Sequence, residues 1–558
     1  MEDTAKMVQR ISSCRGVAFE INPNKSNLFA ISSSPEELQT GNWTWFPWTQ
    51  KGSFKVFPDP RSSSIGRTLS RASTQSSLFC DLEEDDDDDI NDNEDGSKYL
   101  GDQTEKDVEN QEVVEEVAEL KQLPKPPQKD SRLSVILLDQ GLFTVYKRLF
   151  VVCLTLNVIG LALAATDHFG YAKRKAALFS IANILALTLC RSEALLRIVF
   201  WLTVKLLGRP RIPIWMKTAT TSFLQSLGGI HSGCGVSSIV WLIYALILTL
   251  QDKENSSPEI IGVASCILSL ICLSALAAFP LVRHLHHNVF ERTHRFAGWT
   301  ALILVWVFIV LTVCYEPALK TYNLSASKLV QTQEFWFTLA ITIVIILPWL
   351  TVRRVPVKVS AVSGHASIIK FEGGIQAGIL GRISPSPLSE WHAFGIISDG
   401  EKEHMMLAGA VGDFTKSLVS NPPSHLWVRG LHFAGLPYLV NLYQRIVLVA
   451  TGSGICVFLS FLLQPCTVDV CLVWVTKGVE KNFGKEIKEM VGRYPKEKVI
   501  VHDTAILGRP KVAEMSVDAA KRWNAEAVIV TSNPKGSKDV VEACKAAGIP
   551  AFGPIWDS

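Results

Sequence analysis

Six apolar segments, near residues 147–166, 176–192, 220–250, 259–282, 296–316 and 335–352, fill the middle of this 558-residue chain. Each approaches the roughly 20 residues that a helix needs to cross a bilayer. That much continuous apolar sequence leaves few ways to fold, and a six-helix transmembrane bundle over 140–352 is expected. Basic residues orient it. Arg197, Lys205, Arg209, Arg211 and Lys217 stand between the second and third segments, Arg283, Arg292 and Arg295 between the fourth and fifth, and Arg353-Arg354 after the last. The connections 251–258 and 317–334 lack this excess and hold the glycosylation-type sequons Asn255-Ser256-Ser257 and Asn323-Leu324-Ser325. A multi-pass membrane protein with both termini in the cytosol and a glycosylated far side follows. Lys173-Arg174-Lys175 is the cluster that opposes this orientation. Ala194 to Leu207, apolar but carrying Arg197 and Lys205, reads as an interfacial helix.

Residues 1–130 read as a disordered cytosolic tail. Acidic residues crowd into Asp81 to Glu119, and like-charge repulsion with little apolar content cannot offset the entropy of ordering. Arg67-Thr68-Leu69-Ser70 and Arg71-Ala72-Ser73-Thr74 are sites that a kinase could use, and Trp43, Trp45 and Trp48 suggest a docking motif. The acidic run lacks the ligand spacing of a calcium loop. The net charge of +2 is near zero for this length, and no nucleic-acid partner is expected. The twelve cysteines include no C-x-x-C pair, so no disulfide framework follows.

Ionisable residues inside apolar segments mark function by default. Gly228-Gly229-Ile230-His231-Ser232-Gly233-Cys234-Gly235 sets a histidine among small residues in the third segment. Phe290-Glu291-Arg292-Thr293-His294-Arg295-Phe296-Ala297-Gly298-Trp299 opens the fifth. Both segments start at the cytosolic side, so His231 and His294 fall in the same half of the membrane and suit one bis-histidyl haem b, with Arg295 free to pair with a propionate. Six-helix haem reductases, which this pattern resembles, carry a second histidine 13 or 14 residues further along each of these helices; here Tyr244, Ala245, Val307 and Phe308 stand instead. The alternative for His231 is a helix-packing patch with a hydrogen-bonded histidine. Arg283-His284-Leu285-His286-His287 reads as interfacial rather than metal-binding.

After 353 the pattern becomes that of a soluble module. Lys358 to Ile383 alternates apolar and polar residues with glycines, as barrel strands do. Arg445 to Ala450 is a buried strand that runs into Thr451-Gly452-Ser453-Gly454-Ile455 and an apolar helix Cys456 to Leu463. Glycines there let backbone amides approach a pyrophosphate. Strands at Asp469–Thr476, Lys498–His502 and Ala527–Thr531, with helices between, predict a nucleotide-binding α/β domain.

Several of these stretches resemble the ferredoxin-reductase-type module of ferric reductases and NADPH oxidases. His392-Ala393-Phe394-Gly395-Ile396 looks like the flavin motif of that family, and Gly412 to Leu418, with Thr415, like its pyrophosphate segment. Gly452, Ser453 and Gly454 look like its nicotinamide-nucleotide loop, and Trp474 to Lys477 like the strand end that meets the adenosine ribose. The glycine-histidine run, His294 to Trp299 and the terminal Gly553-Pro554-Ile555-Trp556-Asp557-Ser558 resemble, more narrowly, a plant and fungal family of integral membrane flavoprotein-like proteins, related in fungi to the membrane part of some non-ribosomal-peptide-synthetase-like proteins.

The resemblance implies a flavin-binding barrel over 353–440 and an NAD(P)-binding domain over 441–558, with FAD, NAD(P)H and Trp556 stacked on the flavin. His392, Phe394, Gly412 and Thr415 would serve FAD; Gly452, Ser453, Gly454 and Lys477 would serve the nucleotide, Lys477 favouring NADPH. Electrons would pass from cytosolic NAD(P)H through FAD, and through one inner haem, to an unidentified acceptor. Ala393 and Gly395 replace the proline and hydroxyl residue of the flavin motif, and Thr531-Ser532-Asn533 replaces the Cys-Gly near the nicotinamide. These departures favour the alternative, a non-catalytic membrane regulator or scaffold whose flavin and nucleotide sites have degenerated.

Overall fold

The computed structural model describes residues 144–554, with the short strands Ile11–Ser12 and Ala18–Phe19. The acidic tail, Ser70, Ser73, Trp43 to Trp48 and Trp556 lie outside the described residues, as do the side chains of His284 and His287. Met1–Ser73 and Thr74–Ser558 form separate units, and the second is described below.

Its first half is helical. The elements are α1 Val145–Ala165, α2 Ala176–Leu189, α3 Glu193–Leu207, α4 Ile214–Gln225, α5 Gly228–Gln251, α6 Pro258–Ala277, α7 His287–Cys314 and α8 Gln333–Leu350. Among the described residues five helices, α1, α5, α6, α7 and α8, are long and apolar enough to cross a membrane. The expected second span is shorter. With 14 residues, α2 covers about 21 Å of a hydrocarbon core about 30 Å thick. Its end is set by the turn Cys190–Ser192, where the Ser192 hydroxyl accepts a hydrogen bond from the Leu195 amide and starts α3. The expected single segment 220–250 also divides, at Ser226-Leu227, into α4 and α5.

α5 is the central helix. It packs on α1, α2 and α6, while α6 lies along α7 and α8 lies against α2. Ile181, Leu242, Ile267, Val305, Ile309 and Ile341 form the apolar core. Asn157 is the polar centre: its side-chain oxygen accepts from Trp241 Nε1 at 2.9 Å and from Asn183 Nδ2 at 2.8 Å, so none of these buried groups is left unsatisfied. At one end of the bundle, Tyr322 ties the two sequon-bearing loops together through Ser257 at 2.5 Å and Glu259 at 3.1 Å, and Asn255 and Asn323 are both exposed there. The basic cluster that opposed the orientation sits at this end too, with Lys173 paired to Asp167 at 2.6 Å and Lys175 to Glu334 at 3.1 Å.

A strand-rich module follows α8 directly. Strands β1 Val352–Pro356, β2 Lys358–Ala361, β3 Ala366–Glu372, β4 Ile379–Ser384, β5 His392–Gly395, β6 Ile397–Ser398, β7 Glu403–Gly409, β8 His425–Arg429 and β9 Phe433–Ala434 make two antiparallel sheets, with helix α9 Asp413–Ser420 after β7. Their orders are β6-β7-β3-β2 and β9-β4-β8-β1, with β5 paired to β4. Next come β10 Arg445–Thr451, the 3-10 segment Gly452–Val457, α10 Leu459–Leu463, β11 Asp469–Thr476, α11 Val479–Gly492, β12 Val499–Asp503, α12 Val512–Trp523, β13 Ala527–Thr531, α13 Pro534–Ala546 and β14 Ala551–Phe552. All five strands run parallel in the order β12-β11-β10-β13-β14. In chain order that is 3-2-1-4-5, so the winding reverses between β10 and β13. Crevices at such reversals, outside the carboxyl ends of the strands, are where open parallel sheets bind ligands.

α3 and α4 join the two halves. Phe200 and Leu224 belong to the same core cluster as the barrel and the parallel sheet. The opposite face of α3 exposes Ile198, Trp201, Leu202 and Leu206, with the Lys205 ammonium 4.8 Å from the Trp201 ring, as suits the expected interfacial helix. The Glu193 carboxylate is buried between Arg382 and Arg429, the latter at 3.4 Å. Beside it Arg197 donates to the His432 carbonyl at 3.1 Å.

Burial, with His404 and Arg197 nearby, pushes the His432 imidazole down to about 4 from the ordinary 6.5. The folded pKa lies below the unfolded one, so this stability is whole above 6.5 and is lost as pH falls from there towards 4, by up to about 3 kcal/mol. Thermal unfolding of the full chain followed between pH 7.5 and pH 5 should show a falling midpoint. Replacing His432 by Asn should flatten that slope.

Candidate functional site

The residues singled out in the sequence gather in two neighbouring places: the end of the bundle beside the antiparallel sheets, and the contact between those sheets and the parallel sheet.

At the mouth, His231 lies in the first turn of α5 and His294 two turns into α7. Their Nδ1 atoms are held alike. His231 Nδ1 lies 3.0 Å from the Leu187 carbonyl oxygen, and His294 Nδ1 3.1 Å from the Ser274 carbonyl oxygen and 2.9 Å from its hydroxyl. A carbonyl accepts, so Nδ1 carries the proton and each Nε2 keeps a bare lone pair, the form in which an imidazole binds a metal. One turn beyond each histidine, on the same face, stand Gly235 and Gly298, where a Cβ would meet nothing within 4 Å. Open space therefore lies beside each of these two glycines. The other glycines have a different job: a Cβ at Gly229 would lie 2.2 Å from the Tyr146 carbonyl oxygen and one at Gly233 3.0 Å from Cys153, so they seat α5 on α1. No group of three or more His, Cys, Asp or Glu side chains suited to a metal occurs among the described residues.

Arg295 does not behave as a propionate partner. It bonds Glu291 and donates to the carbonyls of Leu388 at 3.1 Å and Ser389 at 3.2 Å, in the loop before β5. Trp349 of α8 lies 6.3 Å from Trp391, with the Arg429 guanidinium 5.3 Å from the first ring and 4.7 Å from the second. Burial pushes Arg429 down to about 10 against the pull of Glu193. The guanidinium that does reach both imidazoles electrostatically is Arg191, at the α2–α3 turn, which sequence reading passed over because it stands alone between two apolar runs.

The same loop delivers the expected flavin strand. The His392 ring stacks on Phe414 at 4.6 Å and 15°, which joins β5 to the first turn of α9. Phe394, by contrast, is 6% exposed and belongs to the barrel core. The Thr415 hydroxyl accepts from the amides of Val411 at 3.1 Å and Gly412 at 3.0 Å, so it caps α9 and is committed within the protein. Asp413 occupies the first turn, where it already answers the positive end of the helix.

Gly395 explains its own departure from the motif. A Cβ there would lie 2.8 Å from the Val457 amide nitrogen and Cα, so a side chain is excluded by the segment after the glycine loop. That contact sets β5 directly against the segment between β10 and α10. In the loop itself Gly452 takes φ +52°, and its carbonyl accepts from Trp474 Nε1 at 2.9 Å. A Cβ at Gly454 would lie 2.7 Å from the Thr531 carbonyl oxygen, and Thr451 and Ser532 join their hydroxyls at 2.7 Å. The loops after β10 and β13 thus close on each other at the reversal of winding. Buried Ser453 faces inward, while Lys477 is exposed at the end of β11. The sequence reading missed Asp503, at the end of β12, because it lies in an edge strand with no glycine motif beside it.

Residues 436–558 match the family profile described as adenylate-forming reductase 03009, C-terminal domain. The chain is 33% identical over 445 residues to adenylate-forming reductase 03009 and 32% over 439 residues to adenylate-forming reductase 06235, both of Coprinopsis cinerea. Each match covers 77% of this chain and 42% of the relative, so the chain spans less than half the length of these proteins. Among solved structures, ferredoxin-NADP+ reductase from Plasmodium falciparum with 2'P-AMP matches at 10% identity with TM-score 0.29, over 36% of this chain and 95% of that one. The cytochrome b5 reductase domain of Ulva prolifera nitrate reductase matches at 11% identity with TM-score 0.27, over 36% and 97%.

Restoring a hydroxyl at the flavin strand should harm the protein. Gly395→Ser forces the Val457 segment away and should cost about 1–3 kcal/mol, read as a lower thermal midpoint with no gain in bound flavin.

Proposed function

We propose that this chain is a membrane-embedded oxidoreductase in which NAD(P)H, bound at the carboxyl edge of the parallel sheet, reduces FAD held between barrel and sheet. The observation that carries the reading is the meeting of β5 with the glycine-loop segment at Gly395 and Val457, immediately beside the 3-2-1-4-5 switch point. It brings the strand expected to carry flavin against the loop expected to carry the nicotinamide nucleotide. The resemblance of the module to ferredoxin-reductase-type proteins, and the identity to proteins named reductases, support the same reading.

When bound, flavin accepts a hydride and releases electrons singly. The work of the chain is positioning. Gly452 and Gly454 keep the backbone low for a pyrophosphate, and the close-packed loops at Thr451 and Ser532 fix the crevice width. His392 and Phe414 form an aromatic platform at its barrel side. Arg295, Glu291 and Trp349 hold the loop before β5 on the bundle. His231 and His294 are the residues that would hold one haem b, with Nδ1 protons fixed and Nε2 free. The exposed sequon end supports an orientation with the module in the cytosol. The acceptor is a separate molecule of unassigned class.

A second reading keeps a specific observation on its side. The Thr415 hydroxyl is already used by the protein and Asp413 already occupies the anion end of α9, as in a site that no longer needs a pyrophosphate. It describes a regulator or scaffold. Cofactor content separates the two: the purified full chain should release close to one FAD per chain on denaturation and give a reduced-haem spectrum that His231→Ala and His294→Ala each abolish. Protein lacking both chromophores would leave the regulator.

A further inference from the structure

We propose that the adenosine end of the crevice selects NADH over NADPH, with Asp503 as the residue that decides it. This rests on the nucleotide-binding reading above and names its cofactor.

Asp503 is the last residue of β12 and pairs with Thr476, the last residue of β11, so its side chain stands at the carboxyl edge beside Lys477 and Gly478. There it is fixed from three sides. Oδ1 accepts from the Gly478 amide at 2.7 Å and the Ala505 amide at 3.0 Å, and Oδ2 accepts from the Val479 amide at 3.1 Å. Gly478 takes φ +58°, a left-handed conformation, as the chain turns its amide to the carboxylate at the start of α11. Partial burial works to raise the carboxyl, but the hydrogen bonds from Gly478, Ala505 and Val479 outweigh it and hold Asp503 below its ordinary range, so it is ionised at neutral pH.

Two consequences follow for a dinucleotide whose pyrophosphate lies on the Gly452–Gly454 loop. Its adenosine ribose then falls over the ends of β11 and β12. The first two amides at the start of α11, those of Gly478 and Val479, are already taken by an internal carboxylate and so are lost to a phosphate. A 2'-phosphate carries close to two negative charges and would sit against a fixed third one, without those amides. A ribose hydroxyl is a donor, and it suits Asp503: a carboxylate has about four acceptor positions, of which three are filled. Beside it a groove of about 570 Å³, lined by Trp474, Gly478, Val479, Lys481, Val501 and Asp503 among others, leaves room for a base.

Lys477 argues the other way, since it could pair with a 2'-phosphate. It is exposed at the strand end, as Lys481 is on α11, while Lys488 is paired to Glu480 at 2.7 Å. An exposed ammonium is well hydrated and holds a partner weakly, and no arginine, the side chain with the planar fork for phosphate, lines the groove. The fixed carboxylate outweighs the mobile amines.

The test uses the full chain in detergent with ferricyanide as acceptor. kcat/KM for NADH should exceed that for NADPH by at least about tenfold, and AMP should bind more tightly than 2'-AMP in a titration that needs no turnover. Asp503→Asn should lower NADH use and bring the two nucleotides within a few-fold; Lys477→Ala should leave the preference for NADH in place. Because Asp503 also caps α11, the thermal midpoint of each variant is recorded, and the wild-type ratios decide alone if Asp503→Asn fails to fold. Wild-type preference for NADPH, equal use of both, or an unchanged ratio in folded Asp503→Asn overturns the proposal and leaves the oxidoreductase reading intact. Absence of binding by every nucleotide overturns both.

Discussion

A buried carboxylate, that of Glu193, ties the helical half of this protein to the strand-rich half. Glu193 opens α3 on the membrane side and lies between Arg382 and Arg429 of the barrel, with Arg429 in turn flanked by Trp349 and Trp391. A buried charge is costly unless paired, so the partners must stay together once the helix forms. Everything proposed depends on that fixed geometry. Trp391 leads into β5, β5 meets the nucleotide loop at Gly395, and the loop before β5 is held by Arg295, the neighbour of His294. From the start of α7 to the loop after β10 the chain is tied by the bonds of Arg295 to the loop before β5 and by the contact of Gly395 with Val457.

Sequence pattern carried the architecture well where periodicity was unbroken. The strands after Arg445 and the glycine loop were legible, because a buried parallel strand reads as a continuous apolar run and only glycine permits the approach seen at Gly454. The helices were legible as apolar stretches, but their ends were not. The stretch 176–192 ends in a capped turn after 14 helical residues, and 220–250 hides a break at Ser226-Leu227 that hydropathy averages away. Among the site residues, His231 and His294 each hold Nδ1 against a backbone carbonyl, of Leu187 and of Ser274, which local sequence does not reveal. Arg295, which follows His294 and could pair with a propionate, donates to the loop 388–389, a partner almost a hundred residues on that local sequence cannot reveal.

The departures from the flavin motif take on a physical meaning here. Gly395 is required by Val457, so the missing hydroxyl follows from a close domain contact and need not signal decay. Thr415 and Asp413 are harder on the flavin reading, because internal capping has used the groups a pyrophosphate would seek.

The central claim is that the soluble module passes reducing equivalents from a nicotinamide nucleotide to a flavin. The most direct measurement is anaerobic mixing of the purified, flavin-loaded full chain with excess NADH while the visible flavin absorbance is followed. The account predicts rapid bleaching that reverses on admitting an oxidant. Flavin that stays oxidised with bound nucleotide, at concentrations that saturate the site, would contradict it.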